Sequence, residues 1–425
     1  MNTVARSRRR RAARNFHASL VVLVAVCIVL VACAPRRPVT PPEAALRLTR
    51  VSYAELEGWG GSDLGTSLAA FLRSCDKIRA KPANAPLLAM SYGGTASDWR
   101  SACEMAQSVA NTPGARRQFF EAEFVPYRIL KGTNSEGLFT GYFEPELRGS
   151  RTRQGRYQTP LYGVPSDLIT VDLGQFREAL RGQRVAGRVN GGTLIPYAPR
   201  SEIVGQGLPT AQALIFVDDP VDAFFLHVQG SGRIVLDDGS VVRAAYAGQN
   251  GHPYTAIGAV LIQMGELQRE TVSMQSIRAW ISAHPDRATA LLDRNASYVF
   301  FQVQPLGDPT LGANGAEGVP LTAEASLAVD QTVHPYGMPL WLETSVPAAG
   351  ENAPPRRFAR LLIAQDTGGA IRGVVRGDVY WGFGAAAGEI AGRMRSTGYL
   401  TVLLPRTLAM RLGAGAEFPG IGAGG

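Results

Sequence analysis

Three aspartates in the C-terminal quarter of the chain stand where acid–base chemistry could be done. Residues 364–382 read AQDTGGAIRGVVRGDVYWG, placing Asp366 and Asp378 among apolar, glycine and basic residues, with no histidine or cysteine beside them. Asp330 closes an earlier apolar run, EASLAVD, helical or extended, just before a turn at His334-Pro335-Tyr336-Gly337. A general acid needs a carboxyl kept protonated by apolar surroundings, close to the bond it cleaves. Asp378 meets that need in sequence, with Val374, Val375, Val379, Tyr380 and Trp381 around it, and aromatic rings beside a carboxyl also make sugar platforms. Arg376 opposes this by favouring the charged form. Asp366 ends RLLIAQD and runs into Thr367-Gly368-Gly369, whose backbone amides could hold an anion. Taken singly, each aspartate is more readily a cap or turn former. Glycoside cleavage in general uses two carboxyls, about 5 Å apart for retention or about 6.5–9.5 Å for inversion. A sequence does not carry those distances.

The elements that must position these residues fall into alternating textures. Leu68, Phe71, Leu72 and Cys75 recur at helical spacing within Ser62–Ala80, with Ser62 or Asp63 as the N-cap. A second helix after Ser97-Asp98 buries Trp99, Cys103 and Ala106; a third, from Gly114, aligns Phe120 with Phe124 and stops at Pro126. From Leu138 the texture turns β-rich: GLFTGYFEPELRGS, QTPLYGVP, DLITVDL and DAFFLHVQGSGRIVLDDGSVVRAAYAG. Asp238-Gly239 at the centre of RIVLDDGSVVRA marks a hairpin. Helical pattern returns at Thr255–Met264, Gln275–His284 and Ala288–Arg294. Strands follow in SYVFFQVQ, LWLET, RLLIAQD and YLTVLLP, with a short helix in AAAGEIAGRM. The expected class is mainly β with α, an α+β protein whose β-rich middle forms a separate domain.

The front of the chain bears on where this chemistry happens. MNTVARSRRRRAARNFHA is basic, and SLVVLVAVCIVLVA is an apolar run ending at small residues, the n- and h-regions of a secretory signal. Leu30–Cys33, LVAC, resembles the lipobox of bacterial lipoproteins, which would make residues 1–32 a signal peptide and Cys33 the lipidated N-terminus; an uncleaved anchor is the alternative. Residues 33–48 read as a proline-rich tether. Ala34, in place of aspartate, resembles the signal for sorting to the outer membrane of a Gram-negative bacterium. Of 43 lysines and arginines, six arginines lie in the signal, leaving 37 against 35 acidic residues, so the net charge falls from +8 to +2. That balance, with no basic aromatic platform elsewhere, excludes nucleic acid as a partner. Of the four cysteines, Cys27 lies in the h-region and Cys33 at the lipid site, leaving Cys75 and Cys103 as two buried thiols or one disulfide. Five scattered histidines give no metal pattern. From residues alone, the chain is an exported carbohydrate-active enzyme or a sugar-binding protein.

Seven ordered blocks go further: GLFTGYFEPEL, QTPLYGVP, DAFFLHVQGSGRI, YAGQNGHPYTAIG, NASYVFFQ, VPLTAEASLAVDQTVHPYGMPLW and AQDTGGAIRGVVRGDVYWGFGAAAGEIAGRM. Together they resemble the membrane-bound lytic murein transglycosylase A (MltA) family, with Asp330, Asp366 and Asp378 as the three aspartates of its 3D region, about 320–405. The resemblance implies a double-psi β-barrel domain built from residues 49–140 and 248–410. A smaller β domain, 141–247, is inserted, helices precede the barrel, and a flexible tail, 411–425, follows it. It implies a peptidoglycan lytic exotransglycosylase, a lyase that cleaves the β-1,4 bond between N-acetylmuramic acid and N-acetylglucosamine without consuming water. The muramoyl 6-hydroxyl attacks its own anomeric carbon and leaves a 1,6-anhydro end. Since the sugar supplies the nucleophile at high effective molarity, a single aspartate can act as acid and then as base.

Residue by residue, Asp378 matches the acid/base aspartate, Asp366 a companion that sets its protonation or orients substrate, and Asp330 an organiser of the loop. Thr140, Gly141 and Tyr142 match the groove-facing strand. Gln229 and Ser231 match the QGSG segment, and Tyr246, Asn250 and Tyr254 are further candidates for sugar contact. No cofactor or metal is implied. The expected partners are glycan strands of peptidoglycan, a membrane through the lipid anchor, and other cell-wall enzymes, with the protein itself a monomer. Two rival readings remain open on sequence: a hydrolytic muramidase using Asp366 and Asp378 as a pair, and a non-catalytic lipoprotein that binds peptidoglycan. Action at chain ends or internally is likewise open.

Overall fold

Apolar runs and turn residues divide this chain into interleaved sheets. The computed structural model describes residues 46–88, 91–180, 183–348 and 354–418. The expected signal, Cys33 and most of the expected tether lie outside them. Strand β1 (Leu46–Arg50) leads into helices α1 (Gly65–Arg79), α2 (Ala96–Gln107) and α3 (Pro113–Glu123). Strands β2 (Phe124–Lys131), β3 (Glu136–Glu144), β4 (Glu146–Ser150), β5 (Thr159–Tyr162), β6 (Ile169–Asp172), β7 (Arg184–Asn190) and β8 (Thr193–Pro196) follow. Next come α4 (Arg200–Gln206), β9 (Ala213–Val217), α5 (Pro220–Gln229), β10 (Gly232–Leu236) and β11 (Val241–Gln249). Helices α6 (Ile257–Gln263), α7 (Met274–Ala283) and α8 (Pro285–Leu292) return the chain to β12 (Val299–Pro305). The last part holds β13 (Ser326–Val329), β14 (Pro339–Val346), β15 (Arg356–Asp366), β16 (Arg376–Phe383), α9 (Gly384–Ala391), β17 (Arg395–Pro405), α10 (Arg406–Leu412) and β18 (Gly415–Phe418).

Six strands close into a barrel. The order β14-β15-β13-β16-β3-β17 is completed by pairing of β17 back onto β14, and β2, β1 and β18 extend the sheet to nine strands. Two of the barrel pairings, β13 with β15 and β16 with β3, are parallel and the others antiparallel. This is the double-psi barrel that the resemblance implies. Two of its strands, β15 and β17, carry apolar runs buried on both faces: Leu361–Ala364 and Leu400–Pro405 are buried throughout.

The three N-terminal helices cover the barrel with one apolar stripe each. Helix α1 buries Leu68, Phe71, Cys75 and Ile78, and the Cys75–Cys103 disulfide, with Cα atoms 5.4 Å apart, ties it to α2. Helix α2 starts at a capping box, the Thr95 amide donating to Asp98 Oδ2 at 2.8 Å. Ser67 Oγ donates to the Leu361 carbonyl at 2.6 Å and Gln365 Nε2 to the Ala70 carbonyl at 2.9 Å, which fixes α1 against β15.

A second sheet, ordered β12-β11-β10-β4-β9-β5, and a three-stranded sheet β6-β7-β8 make up the insertion. Three expectations are corrected here. The insertion does not end near residue 247: β12 pairs with β11 over Val242–Gln249, and α6, α7 and α8 pack on α5 through Phe224, Phe225, Leu261 and Trp280, so the barrel resumes only after Pro305. DAFFLHVQ is helical, not β. Asp219 caps α5 by accepting from the Val221 and Asp222 amides, Pro220 opens it, and Gly230 at φ 84° closes it. A short apolar run has no decisive period, so its caps decide. Finally, part of the expected tail and tether is ordered: β18 pairs antiparallel with β1, from Leu46↔Phe418 to Thr49↔Gly415. Residues 419–425 lie outside the described residues.

Candidate active site

Strand register brings the aspartates together. Ala328 on β13 is partnered by Asp366 on β15 and by Asp378 on β16. The two aspartates therefore sit two strand spacings apart in backbone, roughly 10 Å, on either side of a small side chain. On its other side β16 pairs with β3, Asp378 opposite Thr140 and Tyr380 opposite Tyr142.

Thr140 Oγ1 donates to Asp378 Oδ1 at 2.6 Å and accepts from Arg376 Nη2 at 2.8 Å. Burial pushes the Asp378 carboxyl above the ordinary aspartate range, while Arg376 and the Thr140 hydroxyl pull it down without cancelling the rise. A protonated Asp378 can donate a proton; ionised, it can take one back. Among the described residues, Asp378 Oδ2 takes no hydrogen bond.

Asp366 is held differently. Its Oδ2 accepts from Tyr142 Oη at 2.8 Å and its Oδ1 from the Ala316 amide at 2.9 Å. Burial raises this carboxyl too; the donors from Ala316, Tyr142 and Thr367 lower it, and the charge of Asp378 adds to the rise. Asp330, 4% exposed, is a brace: Oδ1 accepts from the amide and hydroxyl of Thr332, and Oδ2 from the Gly373 amide at 2.8 Å. That last bond holds the glycine loop leading into β16. His334, fully buried, holds the same loop through Nε2 to the Val374 carbonyl at 2.8 Å. Burial pushes His334 down to about 4, so it is neutral and serves as a fixed donor.

The expected sugar-contact residues divide. Thr140 and Tyr142 line the site, but their hydroxyls are engaged by the aspartates. Gly141 is set by packing: a Cβ there would lie 2.6 Å from the Trp381 ring. Gln229 Oε1 accepts from the Phe143 amide at 3.0 Å, tying α5 to β3. Ser231 is partly exposed, and Tyr246 is half exposed. Tyr254 is 39% exposed, and its hydroxyl feels the charge of Asp378. Asn250 is held by the insertion itself: it is 1% exposed, its Nδ2 donates to the Ala198 and Ala296 carbonyls, and its Oδ1 accepts from the Tyr298 amide.

Sequence reasoning missed three groups. Glu144 lies buried between Arg233 and Arg243, Ala316 supplies an amide to Asp366, and burial lifts Glu317 to about 7. A signal for the first existed: Thr140, Tyr142 and Glu144 alternate along one strand face. Among the described residues no cluster of histidine, cysteine or carboxylate side chains could hold a metal ion, and no helix is long and apolar enough to cross a membrane.

Comparison with known proteins places this arrangement. Sequence profiles match the MltA specific insert domain over residues 138–302 and the 3D domain over residues 325–404. Membrane-bound lytic murein transglycosylase A of Escherichia coli (strain K12) is 36% identical over 283 residues, covering 64% of this chain and 68% of that one. The crystal structure of a membrane-bound lytic murein transglycosylase from Agrobacterium tumefaciens superimposes with a TM-score of 0.73 at 34% identity, covering 86% of this chain and 99% of that one. E. coli MltA with bound chitohexaose superimposes with a TM-score of 0.56 at 30% identity, covering 79% of this chain and 89% of that one. Barrel, insertion, three aspartates and these likenesses together show that the chain belongs to the membrane-bound lytic murein transglycosylase A family.

Proposed function

We infer that this protein is a lytic transglycosylase of peptidoglycan in which Asp378 alone serves as acid and then base. Protonated Asp378 gives its proton to the glycosidic oxygen leaving the muramoyl anomeric carbon. The resulting carboxylate then removes the proton from the muramoyl 6-hydroxyl as that oxygen bonds to the same carbon. The products are a free 4-hydroxyl on one side and a 1,6-anhydromuramoyl end on the other, with no water consumed and the acid regenerated.

The observation that carries this reading is the unequal commitment of the carboxyl oxygens. A second catalytic carboxylate would need a free oxygen to attack carbon or activate water. Both oxygens of Asp366 and both of Asp330 already accept hydrogen bonds, whereas Asp378 has one oxygen engaged, by Thr140. Asp366 then acts as a hydrogen-bonded companion beside the acid, and Asp330 as the brace of its loop. Chitohexaose bound to the E. coli relative supports a glycan as ligand, and Ser231, Tyr246 and Tyr254 remain the partly exposed groups that could meet it. With Cys33 as the lipidated residue, a monomeric enzyme would sit at the periplasmic face of the outer membrane, next to its substrate and to other cell-wall enzymes. Incorporation of labelled palmitate, lost in Cys33→Ser, tests that placement.

Product analysis tests the chemistry. Purified protein is incubated with sacculi and the soluble muropeptides are weighed by mass spectrometry. Anhydro ends are expected, and reducing ends would instead establish a hydrolase. Asp378→Asn keeps the shape of the side chain but cannot shuttle a proton, so it should bind sacculi and release nothing; undiminished release by this variant would leave the binding-protein reading standing.

A further inference from the structure

Strand β3 carries three polar side chains at alternate positions, Thr140, Tyr142 and Glu144, and alternate residues of a strand share a face. The first two reach Asp378 and Asp366. Glu144, 1% exposed, reaches the second sheet instead. Its Oε1 accepts from Arg243 Nε at 2.9 Å and from the Ala313 amide at 3.2 Å. Its Oε2 accepts from Arg243 Nη2 and from Tyr380 Oη, each at 3.4 Å, with Arg233 Nε 3.6 Å away.

The other donors of the two arginines converge on one stretch of chain, the return from β12 to β13. Arg243 bonds the carbonyls of Leu306 and Leu311, the latter at 2.7 Å; Arg233 bonds those of Pro309, at 2.8 Å, and Leu311. That stretch lies hard against the barrel. A Cβ on Gly312 would fall 2.3 Å from Tyr380 Oη, and one on Gly315 would fall 2.5 Å from the Gln365 carbonyl. Just beyond it, the Ala316 amide donates to Asp366 Oδ1. Tyr380, in contact with Glu144, lies beside Tyr142 with ring centroids 5.3 Å apart, and Tyr142 donates to Asp366 Oδ2. Both side-chain oxygens of Asp366 are thus supplied by groups that Glu144 and its arginines hold in place.

We propose that Glu144 is a positioning residue for the acid–base site: with Arg233 and Arg243 it locks segment 306–316 onto the barrel, so that Ala316 and Tyr142 meet Asp366. This rests on the reading of Asp378 as the acid. The groups that face Asp366 are Tyr142 from β3, Asp378 from β16 and Tyr336 from the turn after β13, with Glu317 beside them. The Ala316 bond favours the charged form of Asp366, so loosening the segment lets its carboxyl rise further.

The test is Arg243→Met in the full chain, which leaves Glu144 and Arg233 as a balanced pair. Muropeptide release from sacculi is followed across pH, and backbone hydrogen exchange is followed over residues 306–318. The acid limb of kcat/KM is expected to move to higher pH and kcat to fall by up to about a hundredfold, the size for misplacing a group by an ångström, with KM nearly unchanged. Exchange in the segment should rise, and Arg243→Lys should recover part of the rate. An acid limb at its wild-type position, with only thermal stability lowered, overturns the proposal. Should Arg243→Met not fold, Glu144→Gln replaces it, with the same two measurements and the same outcomes for and against. Asp378→Asn run in parallel separates the two readings. If it still releases muropeptides, the acid–base reading fails. If it is inactive while Arg243→Met keeps the wild-type profile, only the positioning role fails.

Discussion

Glu317 gives the sharpest stability prediction. Its Oε2 accepts from Ser74 Oγ on α1 at 2.6 Å, and its amide donates to the Gln365 carbonyl at 3.0 Å, one residue from Asp366. Burial pushes its carboxyl up from 4.5 to about 7, against the pull of Ser74, Lys77 and Lys81. The fold therefore favours the protonated form. The stabilisation is fully present below about pH 4.5, where the unfolded chain is protonated too, and is lost as pH rises through about 7. A rise of that size corresponds to at most roughly 3 kcal/mol. Glu317→Gln keeps an acceptor for Ser74 and carries no charge, so it should escape the loss. Urea unfolding of both proteins at pH 4.5, 6 and 8 is the assay. The variant should match the wild type at the acid end and exceed it at the alkaline end, by up to roughly 3 kcal/mol. A stability difference that does not change with pH would refute the reasoning, as would a variant less stable than wild type at pH 8. Either result would mean that Lys77 and Lys81 hold the charged carboxylate.

Two further outcomes follow from the same contacts. Arg376 pulls the Asp378 carboxyl down, so Arg376→Met should let it rise and keep the acid protonated to higher pH; the alkaline limb of kcat/KM should move upward, and an unmoved limb would separate that limb from Asp378. The Cys75–Cys103 bridge, with a sequence separation of 28, should contribute roughly 3–4 kcal/mol by restricting the unfolded chain. Thermal unfolding of Cys75→Ala/Cys103→Ala should fall well below wild type while muropeptide release persists at low temperature, and equal melting would refute that contribution.

Much of the scaffold was legible because local rules govern it. Leu68, Phe71, Cys75 and Ile78 recur at the helical period and face the core. Asp238-Gly239 turns β10 into β11, with Gly239 at φ 83°. The apolar runs in RLLIAQD and YLTVLLP marked β15 and β17 as strands. The same rules failed for DAFFLHVQ, where Asp219 and Gly230 capped a helix on a run with no decisive period. They failed again at the C-terminus, where Gly415–Phe418 has little propensity for any structure and becomes a strand because β1 offers an edge.

By itself, the sequence determined which residues could do the chemistry: a carboxyl at position 378 amid valines and aromatics, with companions at 366 and 330. Tertiary structure alone decided how free each one is. Thr140 meets Asp378 across 238 positions of chain, Tyr142 meets Asp366 across 224, and Arg243 meets Glu144 across 99. The first two partners are chosen by strand register in the closed barrel and the third by the packing of the second sheet against it, properties of the assembled sheets that no local propensity encodes. The same assembly turned Asn250 inward as a brace and left one oxygen of Asp378 without a hydrogen bond among the described residues.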